Sequence, residues 1–445
     1  MRPLTLEQAA ELAGGTHRGE GLITSVTIDS RTATSGSLFV ALPGSRVDGH
    51  QFVPEVLAQG GFAMVRAGKT ALLGVIEVAD PLTGLQNLAR GYLSSFDLPV
   101  IAVTGSNGKT TTKDMISRVL QERFAVQRSI GNYNNEIGLP LTVLGLEEGH
   151  EALVVEMGMR GLGQIAALAK ICPPQVGVIT NVGPVHLELL GSMENIASAK
   201  GELLEALPRS GLAVLNGDDP LVRRLAGRTQ AEVVFYGRAP GNDLQISGVV
   251  SDNQGRVAFY AEGLGVSGEV ALNIPGIHNA WNAAAALAVG LKFGVPFVQC
   301  RRALQDISLS AMRLEAVCTP SGAVILNDAY NASPASMRSA LDTLAAMECL
   351  GRKIAILGDM LELGRISEQA HVEIGAYAAE RCDNLFFVGR WAESYRRGAG
   401  RGEVFAAPDD LLRSLPQVRS GDLVLVKASR GLRLERVVER LEKGE

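Results

Sequence analysis

The sequence predicts an α/β protein of three domains: a small mixed α/β N-terminal domain, a central domain on a mostly parallel sheet, and a C-terminal Rossmann-like domain. Three observations predict it. At 445 residues the chain exceeds one ordinary core, since a domain usually takes roughly 100–200 residues. Two long stretches alternate short apolar runs with helix-length amphipathic segments, the pattern of parallel sheets covered by helices. The N-terminal stretch differs, its short apolar runs being split by Gly, Pro and Asp. Hydrophobic residues make up 46% and charged residues 20% of the chain, ample apolar side chain to fill such cores.

Taken in order, Thr5 and Gln8 form a capping-box pattern ahead of Leu6, Ala9, Ala10 and Ala13, which predicts an opening amphipathic helix. The runs Ser37–Leu42, Phe62–Val65 and Gly74–Val78 read as strands of the first domain, residues 1–95. From Val100 to Val103 a buried-type strand precedes a helix whose apolar face carries Met115, Ile116, Val119 and Leu120. Strands at 153–155, 176–180 and 212–215 extend a parallel sheet, residues 240–272 read as an antiparallel β insertion, and Ala283–Ala286 lies in a helix near the end of the second domain, residues 96–310. Strands at 324–326, 353–357, 384–388 and 423–426, separated by helices, give the third domain, residues 311–445.

Between the first central strand and its helix lies Thr104-Gly-Ser-Asn-Gly-Lys-Thr110. Backbone N–H groups of such a glycine-rich turn, backed by a helix N-terminus, surround a phosphate, a lysine reaches the terminal phosphates and a hydroxyl meets Mg²⁺. Gly105, Ser106, Asn107, Gly108, Lys109, Thr110 and Thr111 fill these positions, although Val103 stands where the full consensus has glycine. The chain has no Asn-Lys-x-Asp guanine signature, so a GTPase is disfavoured, whereas the loop alone leaves a kinase open.

Three further residues are candidates for the same site, two of them at the sheet's carboxyl edge and one within a helix. Glu156 follows an apolar strand and is placed as a Mg²⁺ ligand or as an ordinary strand-terminal carboxylate. His186 follows the next strand through Asn181-Val-Gly-Pro184. Lys200 shares a helical stripe with Ile196, Leu203, Leu204 and Leu207 behind the cap Ser192. A lysine there either snorkels to water or stays neutral and takes up CO₂ as a carbamate, in effect a long carboxylate for a second cation.

The formal charge of −5 shows no basic excess and points away from nucleic acid. Five scattered cysteines without a CxxC pair argue against a disulfide framework or a zinc site. No stretch approaches the roughly 20 apolar residues of a membrane span, and the N-terminus lacks a signal-peptide core. The expectation is a cytoplasmic, monomeric protein acting on small molecules.

Thr104–Thr111, Asn132-Tyr-Asn-Asn-Glu-Ile-Gly138, Glu156-Met-Gly-Met-Arg160, His186-Leu-Glu188, Ala199-Lys-Gly-Glu202, Gly276–Ala284, Met312-Arg-Leu-Glu315, Asn327–Pro334, Leu357–Leu363 and Lys427-Ala-Ser-Arg430, in this order, resemble the Mur ligase family. The resemblance covers nearly the whole chain. It implies an ATP- and Mg²⁺-dependent amide ligase acting through an acyl phosphate, with UDP-N-acetylmuramoyl-tripeptide and D-Ala-D-Ala as substrates. It implies catalytic roles for Lys109, Glu156, His186 and Lys200, with Thr110 and Glu156 on one cation and His186 and carbamylated Lys200 on another. By the same resemblance Asn279, Asn282, Arg313 and Asp328 contact ATP, and Ser30, Arg31, Asn134, Asn135, Tyr330, Lys427 and Ser429 contact the other substrates.

Overall fold

The structure, a computed structural model, describes residues 1–44 and 47–444; Ser45, Arg46 and Glu445 lie outside the described residues. Thr5 caps the opening helix Leu6–Ala13 and Gln8 returns the bond, the reciprocal pair that the sequence pattern implies. This helix covers a five-stranded sheet in which Ser25–Thr27, Ser37–Val40, Phe62–Arg66 and Val75–Val78 run parallel and Thr16–Arg18 closes one edge antiparallel.

The central sheet has nine strands. Val100–Thr104 lies between Ala152–Glu156 and Val176–Ile179, all parallel, with Glu156 opposite Val103 and Ile179 opposite Thr104. The chain therefore reverses its direction of strand addition beside the phosphate loop, the switch point where open α/β sheets gather ligands. Leu212–Asn216 and Glu232–Gly237 continue the parallel part. Leu244–Ser251 then pairs parallel with Glu232–Gly237, and Arg256–Gly263 and Val266–Pro275 follow antiparallel. The segment read as an insertion is thus the continuous edge of the central sheet. Its alternating exposure, apolar toward helix Asn279–Lys292 and polar outward, is what a one-sided antiparallel edge requires.

The third sheet has six strands, with Leu423–Lys427 between Val324–Asp328 and Lys353–Gly358. Asp328 and Leu357 both lie opposite Lys427, so the carboxyl ends of these strands meet. Glu315–Cys318, an antiparallel edge strand with mostly exposed side chains, carries no apolar run that a sequence reading detects.

The two joints between these units differ. One apolar cluster runs from Leu4 and Leu6 through Leu88 and Tyr92 into Leu139, Val143 and Leu153, so the first sheet and one face of the central sheet share a core. Central and C-terminal cores are separate, and polar bonds cross between them: Ser333 Oγ donates to Asn107 Oδ1 at 3.0 Å, Ser339 Oγ meets His278 Nδ1 at 2.6 Å, and Glu348 N donates to Asn253 O at 2.7 Å.

Candidate active site

The glycine turn is built by close approach. Gly105 has φ 151° and Gly108 φ 78°; a Cβ on Gly105 would stand 1.9 Å from Thr180 Oγ1, and one on Gly108 2.5 Å from Asn282 Oδ1. Asn181 holds the turn from the neighbouring strand end, accepting from Ser106 N through its carbonyl and from Asn107 N through Oδ1, each at 2.9 Å. Lys109 heads helix Lys109–Leu120 and donates to the carbonyls of Gly105 and Ser106 at 2.9 and 3.2 Å. Desolvation lowers its pKa below the usual lysine range, with Glu156 opposing and Arg313 adding to the shift.

Glu156 ends its strand buried beside this loop. Thr110 Oγ1 donates to Oε2 at 2.5 Å and Asn134 Nδ2 to Oε1 at 2.7 Å. Arg313 reaches the same hydroxyl, Nη2 donating to Thr110 Oγ1 at 2.7 Å, and its guanidinium lies 4.3 Å over the Tyr330 ring. Met312 and Leu314, on either side of Arg313, hold left-handed backbone at φ 61° and 53°.

Ser192 caps helix Met193–Glu205, as its position implies, and the helix buries Lys200 to 2% exposure. Among the described residues Lys200 makes no hydrogen bond or ion pair. Desolvation, with Lys109 adding repulsion, pushes its pKa well below the ordinary value. It does not snorkel to bulk water. His186 also lines the cavity and has a left-handed backbone at φ 55°.

From the C-terminal unit Lys427 Nζ donates to Asp328 Oδ2 at 2.5 Å and to Asn331 O at 2.9 Å. Ser429 Oγ accepts from Leu361 N at 3.0 Å. Asn279 and Asn282 face the same way, Asn282 Nδ2 donating to Asn279 Oδ1 at 2.9 Å, and neither caps the helix, whose N-cap is His278. Desolvation pushes His278 down to about 4.

All of these groups except Ser30 and Arg31 line one cavity of about 1650 Å³ between the central and C-terminal units. Arg31 is exposed and paired with Asp29 at 2.6 Å, in the first domain and outside the cavity. Asn135 reaches the cavity wall, but its Oδ1 accepts from Ile137 N and Gly138 N and so closes a local turn. The sequence reading singled out neither His278 nor Glu362, which also line the cavity. Glu362 sits on a loop, where no periodicity marks which way a side chain turns.

Thr110 and Glu156 are the oxygen donors that Mg²⁺ takes, held together at a phosphate loop, and they fit it. His186 and Lys200 fit a second cation only with Lys200 as its carbamate. An ammonium cannot ligate, and among the described residues no three His, Cys, Asp or Glu side chains converge.

Fold and site define a phosphate-loop enzyme with one cavity shared by two α/β units. Comparisons with known proteins refine this class. Residues 22–89 match the Mur ligase family catalytic domain, 103–290 the Mur ligase middle domain, and 312–430 the Mur ligase glutamate ligase domain. The UDP-N-acetylmuramoyl-tripeptide--D-alanyl-D-alanine ligase of Bacillus subtilis is 39% identical, covering 98% of each chain. MurF of Acinetobacter baumannii superposes with a TM-score of 0.90 at 29% identity over 99% of both chains. MurF ligase of Thermotoga maritima, solved in complex with ADP, gives 0.83 at 32% identity over 94% of this chain and 97% of that one. The chain belongs to the Mur ligase family.

Proposed function

We infer that this protein joins D-alanyl-D-alanine to UDP-N-acetylmuramoyl-tripeptide at the expense of ATP, yielding the UDP-linked pentapeptide of peptidoglycan synthesis, ADP and phosphate. The observation that carries the reading is the convergence of Lys109, Thr110, Glu156 and Arg313 at one point, drawn from two units that face each other across the cavity.

The tripeptide's terminal carboxylate attacks the γ-phosphorus of ATP, forming a C–O–P bond as the bond to ADP breaks. The dipeptide amine then attacks the acyl carbon, and phosphate leaves as the amide forms and the amine gives up its proton. The first step sets an anion against an anion. Loop N–H groups, Lys109 and Arg313 supply positive charge where the transferring phosphoryl develops negative charge. Held in the cavity, the carboxylate and the phosphate meet without the entropy cost of a bimolecular encounter. Thr110 and Glu156 would hold Mg²⁺, and His186 with carbamylated Lys200 a second ion; bound there, the ions neutralise phosphate charge. Asn279 and Asn282 present amides suited to adenine. Asp328, Tyr330, Lys427 and Ser429 suit the ribose and the peptide side, while Asn134 orients Glu156.

Among the described residues no helix is long and apolar enough to cross a membrane, and a nucleotide-linked substrate with ATP supports a cytoplasmic place of action.

The test is phosphate release from ATP with UDP-N-acetylmuramoyl-tripeptide, with and without D-Ala-D-Ala. Dipeptide-dependent release with a UDP-pentapeptide product is expected. Release with a single amino acid instead of the dipeptide would move the protein to a sibling activity.

A further inference from the structure

We propose that Glu362, on a loop of the C-terminal unit, is the positioning residue that orients the His186 imidazole of the central unit, so that His186 is set for catalysis only when the two units meet. This rests on the reading of the cavity as the ligase site.

The His186 ring supplies the first part of the argument. Its Nδ1 is buried without an aligned hydrogen bond, and it meets one group in close contact, the Glu362 carboxylate. A carboxylate against Nδ1 fixes the proton on that nitrogen and leaves Nε2 as the one free to act toward the cavity. No residue of the central unit takes this part among the described residues.

The loop that brings Glu362 supplies the second part, because it is braced along its length. The Asp359 carboxylate accepts from Arg390 N and Trp391 N, each at 2.9 Å. The Asp359 carbonyl accepts from Ser429 N at 3.1 Å, Met360 N donates to His371 Nε2 at 3.0 Å, and Leu361 N donates to Ser429 Oγ. After three anchored residues Glu362 takes left-handed backbone at φ 63°. For a non-glycine residue that conformation persists only where surrounding structure over-determines it.

The third part is that both partners are presented in strained backbone at the same seam. His186 has φ 55°, and a Cβ on Gly364, two residues past Glu362, would stand 3.0 Å from Glu188 Cβ. Arg160 of the central unit brings its guanidinium to 3.7 Å from the Glu362 carboxylate. The contact is therefore a seam between units with the Glu362 carboxylate at its centre, facing His186 Nδ1 and the Arg160 guanidinium. Separation of the units removes the carboxylate from His186 and leaves the ring without an orienting group.

The experiment uses the full chain carrying Glu362→Ala, Glu362→Gln and His186→Ala singly, and Glu362→Ala with His186→Ala. Turnover is measured with ATP, UDP-N-acetylmuramoyl-tripeptide and D-Ala-D-Ala, and thermal unfolding checks that each variant folds. The ¹⁵N spectrum of histidine-labelled protein, with β,γ-imido-ATP and the nucleotide substrate bound, reads the His186 tautomer, assigned by the signal missing in His186→Ala. Glu362→Ala is expected to lower kcat roughly 10–100-fold with little change in KM for ATP. Glu362→Gln, whose amide oxygen still accepts from Nδ1–H, is expected to recover part of that loss. The double variant is expected to lose no more than His186→Ala alone, and the locked Nδ1–H tautomer of wild type is expected to become a mixture in Glu362→Ala. An unchanged tautomer, or losses that multiply in the double variant, would overturn the proposal. Should wild type fail to make the pentapeptide, the ligase reading falls, while the tautomer still decides the role of Glu362.

Discussion

Lys200 is a basic side chain that folding takes out of water and leaves without a partner, a cost that selection against instability alone would remove. The sign of its pH effect follows from burial. Its folded pKa is depressed below 10.5, so the unfolded chain binds a proton that the folded chain lacks, and stability rises with pH toward 10.5. In CO₂-free buffer, Lys200→Met is expected to melt higher than wild type at pH 7, with the gap narrowing by pH 9, while ligase turnover is lost. With ¹³C-bicarbonate, a carbamate carbon signal is expected in wild type and not in Lys200→Met. Gly105 is the opposite case, a residue defined by what cannot be added. Gly105→Ala drives a Cβ against Thr180 Oγ1 and is expected to cost about 1–3 kcal/mol in denaturant unfolding, with weaker ATP binding. Both residues were legible in the sequence because each breaks a local pattern, one a leucine stripe and the other a strand-to-helix junction.

Helix Met193–Glu205 shows how an element serves a residue placed two turns inside it. Ser192 accepts from Asn195 N and fixes the start of the helix. Ser192→Ala is expected to lower stability by about 1 kcal/mol, measured by thermal unfolding, and to weaken turnover through Lys200. Loop 359–363 depends instead on an element it merely touches. His371, within helix Ser367–Ala379, is fully buried and must be neutral at Nε2 to accept from Met360 N. Burial depresses its pKa below 6.5, so its contribution is present above pH 6.5 and lost as pH falls through the folded value. Acid titration of stability is therefore expected to be shallower in His371→Gln than in wild type. Buried parallel strands such as Val100–Thr104 and Leu423–Lys427 read directly from the sequence because both faces are covered and every residue but the last is apolar. Edge strands such as Glu403–Phe405 did not, because one side faces solvent and the run is short.

Across the whole molecule, the apolar joint between the first and central units and the polar joint between the central and C-terminal units predict where motion occurs. An apolar joint holds over a range of conditions, whereas a polar one exchanges its bonds with water at little cost. The cavity groups belong to both sides of the polar joint, Arg313 meeting Thr110 and Ser333 meeting Asn107 across it. Small-angle scattering is expected to show compaction when β,γ-imido-ATP and the nucleotide substrate are added together, with rotation confined to the C-terminal unit. Unchanged scattering would count against closure as a step before chemistry. The left-handed residues Met312 and Leu314 lie in the connecting segment, where a change of backbone region would swing Arg313 toward or away from the phosphate loop.

By itself the sequence determined the α/β class, the phosphate loop, the placing of Glu156 and His186 at one sheet edge and of Lys200 in a leucine-striped helix, and the family. These are local facts: periodicity, a glycine turn and a residue's position along a strand or helix are fixed by neighbours in the chain. Only the tertiary structure decided that Arg313 shares the Thr110 hydroxyl with Glu156, that Ser30 and Arg31 stand away from the cavity, and that Glu362 faces His186. Each of these depends on how separately folded units approach, an arrangement set by packing and long-range pairing that leaves no periodic trace in the segments it joins.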